Sequence, residues 1–323
     1  MHTLNLMDSS VVAEILDTAE KIERSGSINR RDEPLILGKM LHNPSPRENQ
    51  IVDLTAARSG FSAIDFSWRD FTSTETSVLF DEVRMVSEAV DVLITAISSE
   101  VTFGEGRDLS TRIPEHSKVP VVNIHDDVYH WQSALSHLFG IKKGLGSLVD
   151  RQIVITWVYG STFANPSLAH ATMMTGILAG ANIRVAAPSD FPLLGRVRKD
   201  ALKSISGSDA KLEFTSDFDT AFTDAEAVIP LNWFRLDNFN HPERNPQYAS
   251  AHKNWFLETD PVPEDCILST EPDLQVDLSI APELQQAKQN ISSSWLSRRV
   301  ITLASTISYI LDSRESDNPV SLV

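Results

Sequence analysis

Three things are scarce in this chain. There is one cysteine, Cys266, in 323 residues, which excludes an internal disulfide framework and any cysteine-based zinc cluster. No apolar run in the sequence approaches the roughly 18 residues of a membrane span. Basic charge is short: 28 Lys and Arg stand against 44 Asp and Glu, a net charge of -16. That balance argues against nucleic acid or an acidic membrane surface as partner. The opening "MHTLNLMDSS" lacks the basic stretch and apolar run of a secretion signal, so a cytoplasmic protein is expected. Repeats of 20 to 50 residues and low-complexity tracts are also missing.

What remains is an ordinary globular composition, 41% hydrophobic and 22% charged, long enough for two domains of about 150 residues each. Apolar spacing in "VVAEILDTAEKI" predicts a helix capped by Asp8 or Ser9. Short apolar runs then alternate with helical patterns. "LILGKML", "FSAIDFSW", "DVLITAIS" and "VPVVNI" read as strands. Residues 51–59, "SVLFDEVRMVSEAV" and "WQSALSHLFGIKKGLG" read as helices. The alternation restarts with the strand "RQIVITWVY", followed by the helix "NPSLAHATMMTGILAGA", the strand "IRVAAP", a strand within "DAEAVIPLNW", the short strand "CILST" and a long helix within "SSSWLSRRVITLASTISYILD". This predicts an α/β chain of two doubly wound parallel-sheet domains. The domains are 1–148, with helix 292–312 packing back on it, and 149–291.

In such sheets ligands bind beyond the carboxyl ends of the strands. The loop "HNPSPRENQ", residues 42 to 50, lies at one such end. A helix starting near Ser45 points backbone N–H groups outward and favours an anion. The Ser45 hydroxyl can donate, and the Arg47 guanidinium fits phosphate in a two-point fashion. The plainer reading is a helix start with a solvated Arg47. Glu48 fits neither well, because a carboxylate repels an anion beside it. It pairs with Arg47 or another base, points away, or meets a cation. His125, Asp126 and Asp127 are adjacent carboxylates and imidazole, but three neighbours in one loop rarely converge on one ion, so no metal is expected. "GLGSL", residues 144 to 148, precedes a strand and is not a dinucleotide fingerprint.

"HNPSPRENQIVDL" resembles the carbamoyl-phosphate loop, Pro-Ser-x-Arg-Thr-Arg and a helix, of the aspartate/ornithine transcarbamylase family. Four further stretches keep that family's order: "LILGKML", "EVRMVSEAVDVLI", "VPVVNIHDDVYHWQSALSHL" and "IVITWVYGSTFANPSLAHA". The last is nearest to the acetylornithine and succinylornithine branch, in which the second domain is knotted. The resemblance runs from about residue 8 to residue 310. It implies a homotrimer with sites at subunit interfaces and the loop "SWRDFTSTETS" reaching a neighbour. It implies transfer of a carbamoyl group from carbamoyl phosphate to an amino-acid-like amine, without metal or cofactor, by preorganised donors.

Carried over by position, Ser45 and Arg47 fall on the family's phosphate ligands. Glu48 replaces a donor threonine, Asn49 an arginine, and Ala96 the arginine at the next strand end. His130 takes the family histidine with Ser133 at the glutamine; a shift of one residue instead keeps Gln132 and puts Tyr129 there. Trp68, in the loop that follows the third strand, is a further substrate-binding candidate. His170 stands where an asparagine holds the amino acid, and Asn232, Trp233 and Arg235 replace the family's Trp-containing segment. Arg235 can bind a carboxylate or simply be a surface arginine. "STEP", Ser269 to Pro272, replaces His-Cys-Leu-Pro, which places Thr270 and Pro272 beside the substrate. The late arginine falls near Trp295, with Arg298 or Arg299 as substitutes. Three functions are compatible with these residues: carbamoyl transfer with His130, Arg47 and Glu48 as catalytic groups, another reaction in the same cleft, or metabolite binding without catalysis.

Overall fold

The computed structural model describes residues 2–4, 8–26, 35–67, 76–99, 102–205, 209–314 and 320–322. In chain order the regular elements are β1 (His2–Leu4), α1 (Ser9–Ser25), β2 (Ile36–Leu41), α2 (Pro46–Ser59), β3 (Ser62–Asp65), α3 (Thr76–Val86), β4 (Val92–Ile97), α4 (Glu105–His116), β5 (Val121–Asp126), α5 (Trp131–Leu145) and β6 (Gln152–Trp157). There follow α6 (Ser167–Leu178), β7 (Asn182–Ala186), α7 (Gly195–Ser204), β8 (Leu212–Thr215), β9 (Ala227–Leu231), α8 (Asn245–Ala249), β10 (Ile267–Leu268), α9 (Pro282–Gln285), α10 (Trp295–Arg314) and β11 (Val320–Leu322). The chain divides into two compact units, one formed by Met1–Leu135 with Leu296–Val323 and the other by Ser136–Trp295.

Each unit is built on one parallel sheet flanked by helices. The first has the strand order β1-β11-β5-β4-β2-β3 and the second β10-β9-β6-β7-β8. The α/β class with two parallel sheets is therefore the one the alternating pattern predicts. β4 is buried throughout, as its unbroken apolar run requires when helices cover both faces. Lys39 in β2 is also buried, and it bonds Asp53 at 2.8 Å and Asn49 at 3.4 Å. The lysine of "LILGKML" thus ties β2 to α2. Among the described residues no helix is long and apolar enough to cross a membrane.

The start of α1 is the one its sequence signals. Asp8 accepts from the Ser10 N–H at 2.8 Å, and Gly26 closes the helix in the left-handed region at φ 63. α4 is not among the helices that apolar spacing predicts. The charged stretch "EGRDLSTR" begins a 12-residue helix that contains Pro114. Its N-terminal cap comes from outside the segment: the Asp127 carboxylate accepts from the N–H groups of Gly104 at 2.8 Å, Gly106 at 3.2 Å and Arg107 at 2.8 Å. At Gly106 an added Cβ would lie 2.3 Å from the Ile97 carbonyl oxygen, so only glycine allows that approach.

α10 is held to the first unit by polar contacts in its core. Ser305 Oγ donates to the carbonyl of Ile15, and Thr55 Oγ1 lies 3.5 Å from the carbonyl of Val300. Arg299 is buried and donates to Gln132 Oε1 and, at 3.1 Å, to Ser133 Oγ.

Candidate active site

In the first unit, β2, β4 and β5 are neighbours and bring three loops together at their carboxyl ends. A register shift between Thr95 and Ala96 sets Ala96 opposite His125. On the other side Ala96 pairs with Leu41, and its carbonyl accepts from the His42 N–H at 2.8 Å. His125 is thereby fixed at the rim of the sheet.

The loop after β2 turns into α2 through a capping box. Ser45 Oγ accepts from the Glu48 N–H at 3.2 Å, and Glu48 Oε2 accepts from the Ser45 N–H at 2.6 Å. The other carboxylate oxygen, Oε1, bonds His125 Nε2. Burial pushes the Glu48 carboxyl up. The hydrogen bond and charge of His125 and the bonds from Ser45 outweigh that, and the group stays well below the usual carboxylate range. Glu48 thus does not pair with Arg47, which is exposed; the base it meets is His125.

On its other nitrogen, Nδ1, His125 faces Ser98 Oγ at 3.4 Å. Ser98 lies just past β4, and its carbonyl accepts from His42 Nδ1 at 2.8 Å. The ring of His130 stands 4.9 Å from that of His125. His130 Nδ1 accepts from the Ser133 N–H at 3.4 Å at the start of α5, which leaves the proton of a neutral ring on Nε2. Tyr129, the alternative for this position, is buried, stacked on Trp131 at 4.4 Å and covered by Arg107 at 5.2 Å. The two aspartates after His125 are spent on backbone. Asp126 accepts from Val128 and Tyr129, each at 2.8 Å, and pairs with Arg107 at 3.2 Å.

The second unit has its own polar groups at strand ends. Asn232, past β9, donates to the Val158 carbonyl at 2.7 Å. Arg235 is gripped by Asp237 through bonds of 3.0 and 2.6 Å and lies over the Tyr248 ring at 4.0 Å. Past β10, Ser269 Oγ is 2.7 Å from His137 Nδ1, and His137 Nε2 is 2.8 Å from Glu271 Oε1, which also accepts from Trp295 Nε1 at 3.0 Å. An open cavity of about 520 Å³, lined by Phe218, Lys253, Phe256 and Asp277 among others, includes none of the predicted residues.

No family model matches the chain. An ornithine carbamoyltransferase from Rhodococcus jostii (strain RHA1) is 26% identical over 229 residues, covering 71% of this chain and 69% of the relative. An N-acetylornithine carbamoyltransferase from Xanthomonas campestris pv. campestris is 21% identical over 276 residues, covering 80% and 81%. A crystal structure of acetylornithine transcarbamylase complexed with acetylcitrulline superposes with a TM-score of 0.85 at 18% identity, over 96% of this chain and 98% of that one. This chain has the transcarbamylase fold. The resemblance read from five motifs, and its leaning toward the acetylornithine branch, are borne out by these relatives.

Against that fold the predicted residues separate into groups. Ser45, Arg47, Glu48 and His130 stand around the loop ends of β2, β4 and β5. Gln132 and Ser133 are buried and serve another purpose: they hold Arg299. His170 is buried too, and its Nε2 accepts from the Leu194 N–H at 3.0 Å. Trp233 is a core residue whose indole N–H donates to the Phe191 carbonyl at 3.0 Å. Thr270 is buried and bonds Asn290 at 3.3 Å, whereas Pro272 is exposed. Arg235 takes an intramolecular carboxylate, Asp237. Trp68 lies outside the described residues. Sequence reasoning passed over Ser98, His137 and Glu271, and weighed His125 only as a metal ligand. The sequence carries one signal for His125, since Glu48 needs a base.

Proposed function

We propose that this protein is a carbamoyltransferase-like enzyme that moves a carbamoyl group onto the amine of an amino-acid-like substrate, with a donor site rebuilt around Glu48. The fold and the named relatives support the reaction class. Ser45, Arg47 and His130 supply donors at the loop ends where the family binds its carbamoyl donor. His130, protonated on Nε2, is suited to donate to a carbamoyl oxygen, and Arg47 is exposed and available to an anionic substrate group.

One observation carries the altered donor site. The Glu48 carboxylate already takes the Ser45 N–H at the start of α2 and is itself held by His125. A helix N-terminus that would draw an anion is thus filled by the protein's own. Two unit charges about 4 Å apart repel by about 4 kcal/mol at an effective dielectric near 20, so a phosphate beside Glu48 is opposed. The same observation favours, as a second reading, a carbamoyl donor whose leaving group is uncharged where it meets α2.

A ureido-product assay with carbamoyl phosphate over a panel of amines, N-acetylornithine and ornithine included, tests the reaction. No product with any amine would overturn it. Titration calorimetry with carbamoyl phosphate tests the donor site. Weak binding by the wild type is expected, tightened at least about tenfold by Glu48→Thr, or about 1.4 kcal/mol. Tight binding by the wild type would overturn the rebuilt site. By the same resemblance the enzyme is a cytoplasmic homotrimer without cofactor; a monomer mass in light scattering at micromolar concentration would sink the trimer.

A further inference from the structure

Ser98 just past β4, His125 near the end of β5 and Glu48 in the first turn of α2 form one hydrogen-bonded row. With a neutral imidazole, the Nε2 proton is donated to Glu48, which leaves Nδ1 as the acceptor facing Ser98 Oγ. A carboxylate that orients a histidine, which in turn faces a hydroxyl, is the arrangement that activates a serine. The 3.4 Å gap is at the outer edge of that contact, and such contacts shorten when substrate binds. Ser98 is half-buried rather than sealed, and its main chain is pinned by His42. It sits past the carboxyl end of β4, where open parallel sheets hold their ligands.

We propose that Ser98 is a nucleophile, activated by His125 and Glu48, that carries the carbamoyl group as a serine ester between donor and amine. The identity of the carried group rests on the function proposed above; the nucleophile does not. In the first half, Ser98 Oγ bonds to the carbamoyl carbon while the bond from that carbon to the leaving group breaks. The hydroxyl proton passes to His125 Nδ1 and then to the departing group. In the second half, the neutral amine attacks the same carbon and the carbon–Oγ bond breaks. The amine's proton passes through His125 to Ser98 Oγ, restoring the hydroxyl and releasing the ureido product. His130 Nε2–H, on a ring 4.9 Å from that of His125, is the neighbouring donor for the carbonyl oxygen. This row also accounts for Glu48, whose charge opposes phosphate but stabilises an imidazolium.

Two experiments on the full-length protein test the nucleophile. A fluorophosphonate should form an adduct that peptide mapping places at Ser98 and that Ser98→Ala abolishes; no adduct at Ser98 would overturn the proposal. In Ser98→Cys the new thiol can be followed cleanly, because the one native cysteine, Cys266, is buried and its thiol is pushed up to about 12 by that burial. Iodoacetamide at neutral pH should alkylate position 98 at least about tenfold faster than in the double variant with Glu48→Gln. Equal rates would overturn the activation. Carbamoyl phosphate and an amine separate the two readings. Labelling at Ser98 without transfer to any amine would remove the transfer reading and keep the nucleophile. Transfer undiminished in Ser98→Ala would do the opposite.

Discussion

Each unit contains a serine, a histidine and a glutamate in a row. In both rows the histidine uses Nε2 for the carboxylate and Nδ1 for the hydroxyl. At the hydroxyl the row in the second unit is the tighter, 2.7 Å to Ser269 against 3.4 Å to Ser98, while in both rows Nε2 is bonded to the carboxylate. Yet Ser269 and His137 are wholly buried, whereas the His125 and Glu48 side chains keep 14% and 17% of their surface exposed. Tightness marks a packed polar core there: His137 saturates Ser269 and Glu271, and Trp295 adds a further donor. A reagent reaches only the looser row. The three residue types therefore do not distinguish a reactive serine from a structural one; access does.

The largest effect that separates the rows is on stability. His137→Ala strands the Ser269 hydroxyl and the Glu271 carboxylate and should cost about 3 kcal/mol, toward the low end for a broken buried pair because Glu271 is partly exposed. His125→Ala should cost less, because the ring removed is partly exposed and the Glu48 carboxylate keeps its bond from the Ser45 N–H. Urea denaturation of the two variants reads both, and equal losses would erase the distinction.

Next comes Gln132→Ala. It removes the acceptor of Arg299 Nε, leaving Ser133 Oγ for the other nitrogen, and should lose about 2 kcal/mol of stability, while amine affinity measured by titration stays unchanged. A drop in affinity at unchanged stability would return Gln132 to the substrate site.

The pH dependence of stability sharpens the comparison through two carboxylates that flank His125 in space and sequence. Burial, opposed by the amides of α4 and aided by the charge of Asp126, pushes Asp127 up to about 6. A raised carboxyl favours the folded state most below its ordinary value of 3.8, and that stabilisation is lost as pH rises through about 6. Glu48 has the opposite sign: its lowered carboxyl stabilises above the ordinary value of 4.5, and the benefit disappears in more acid solution. Thermal denaturation from pH 3 to 7 should therefore show Asp127→Asn relieving a loss on the order of 2 kcal/mol between about pH 4 and 6. Glu48→Gln should change the slope only below about pH 4.5. A wild-type profile that Asp127→Asn leaves unaltered would place the titration elsewhere.

The smallest effect is expected for Ser98→Ala, within about 0.5 kcal/mol of wild type in the same urea experiment, because its hydroxyl makes one long contact. A loss as large as that of His137→Ala would mean that the looser row is structural too.

The helix that begins at Pro46 and the restart of the strand pattern at "RQIVITWVY" were legible because turn chemistry and apolar period are local. Glu48 was legible as an oddity, since a carboxylate amid Pro, Ser and Arg conflicts with an anion site whatever the fold. Its partner was not, because His125 lies 77 positions away (from 48 to 125) and reaches it through sheet order and the register shift at Ala96. α4 escaped for the same kind of reason: its N-terminal amides are capped by Asp127 from another strand end. Gln132, Ser133, His170 and Thr270 look like polar site residues in sequence, and packing turned each into an internal bond, because a buried polar group must find a partner wherever the fold offers one. The sequence by itself determined the order of the main strands and helices, the parallel sheets and the conflict at Glu48, all of which follow from neighbours along the chain. Only the tertiary structure decided which histidine answers that glutamate and which serine stays within reach, because burial and hydrogen-bond geometry depend on residues far apart in the chain.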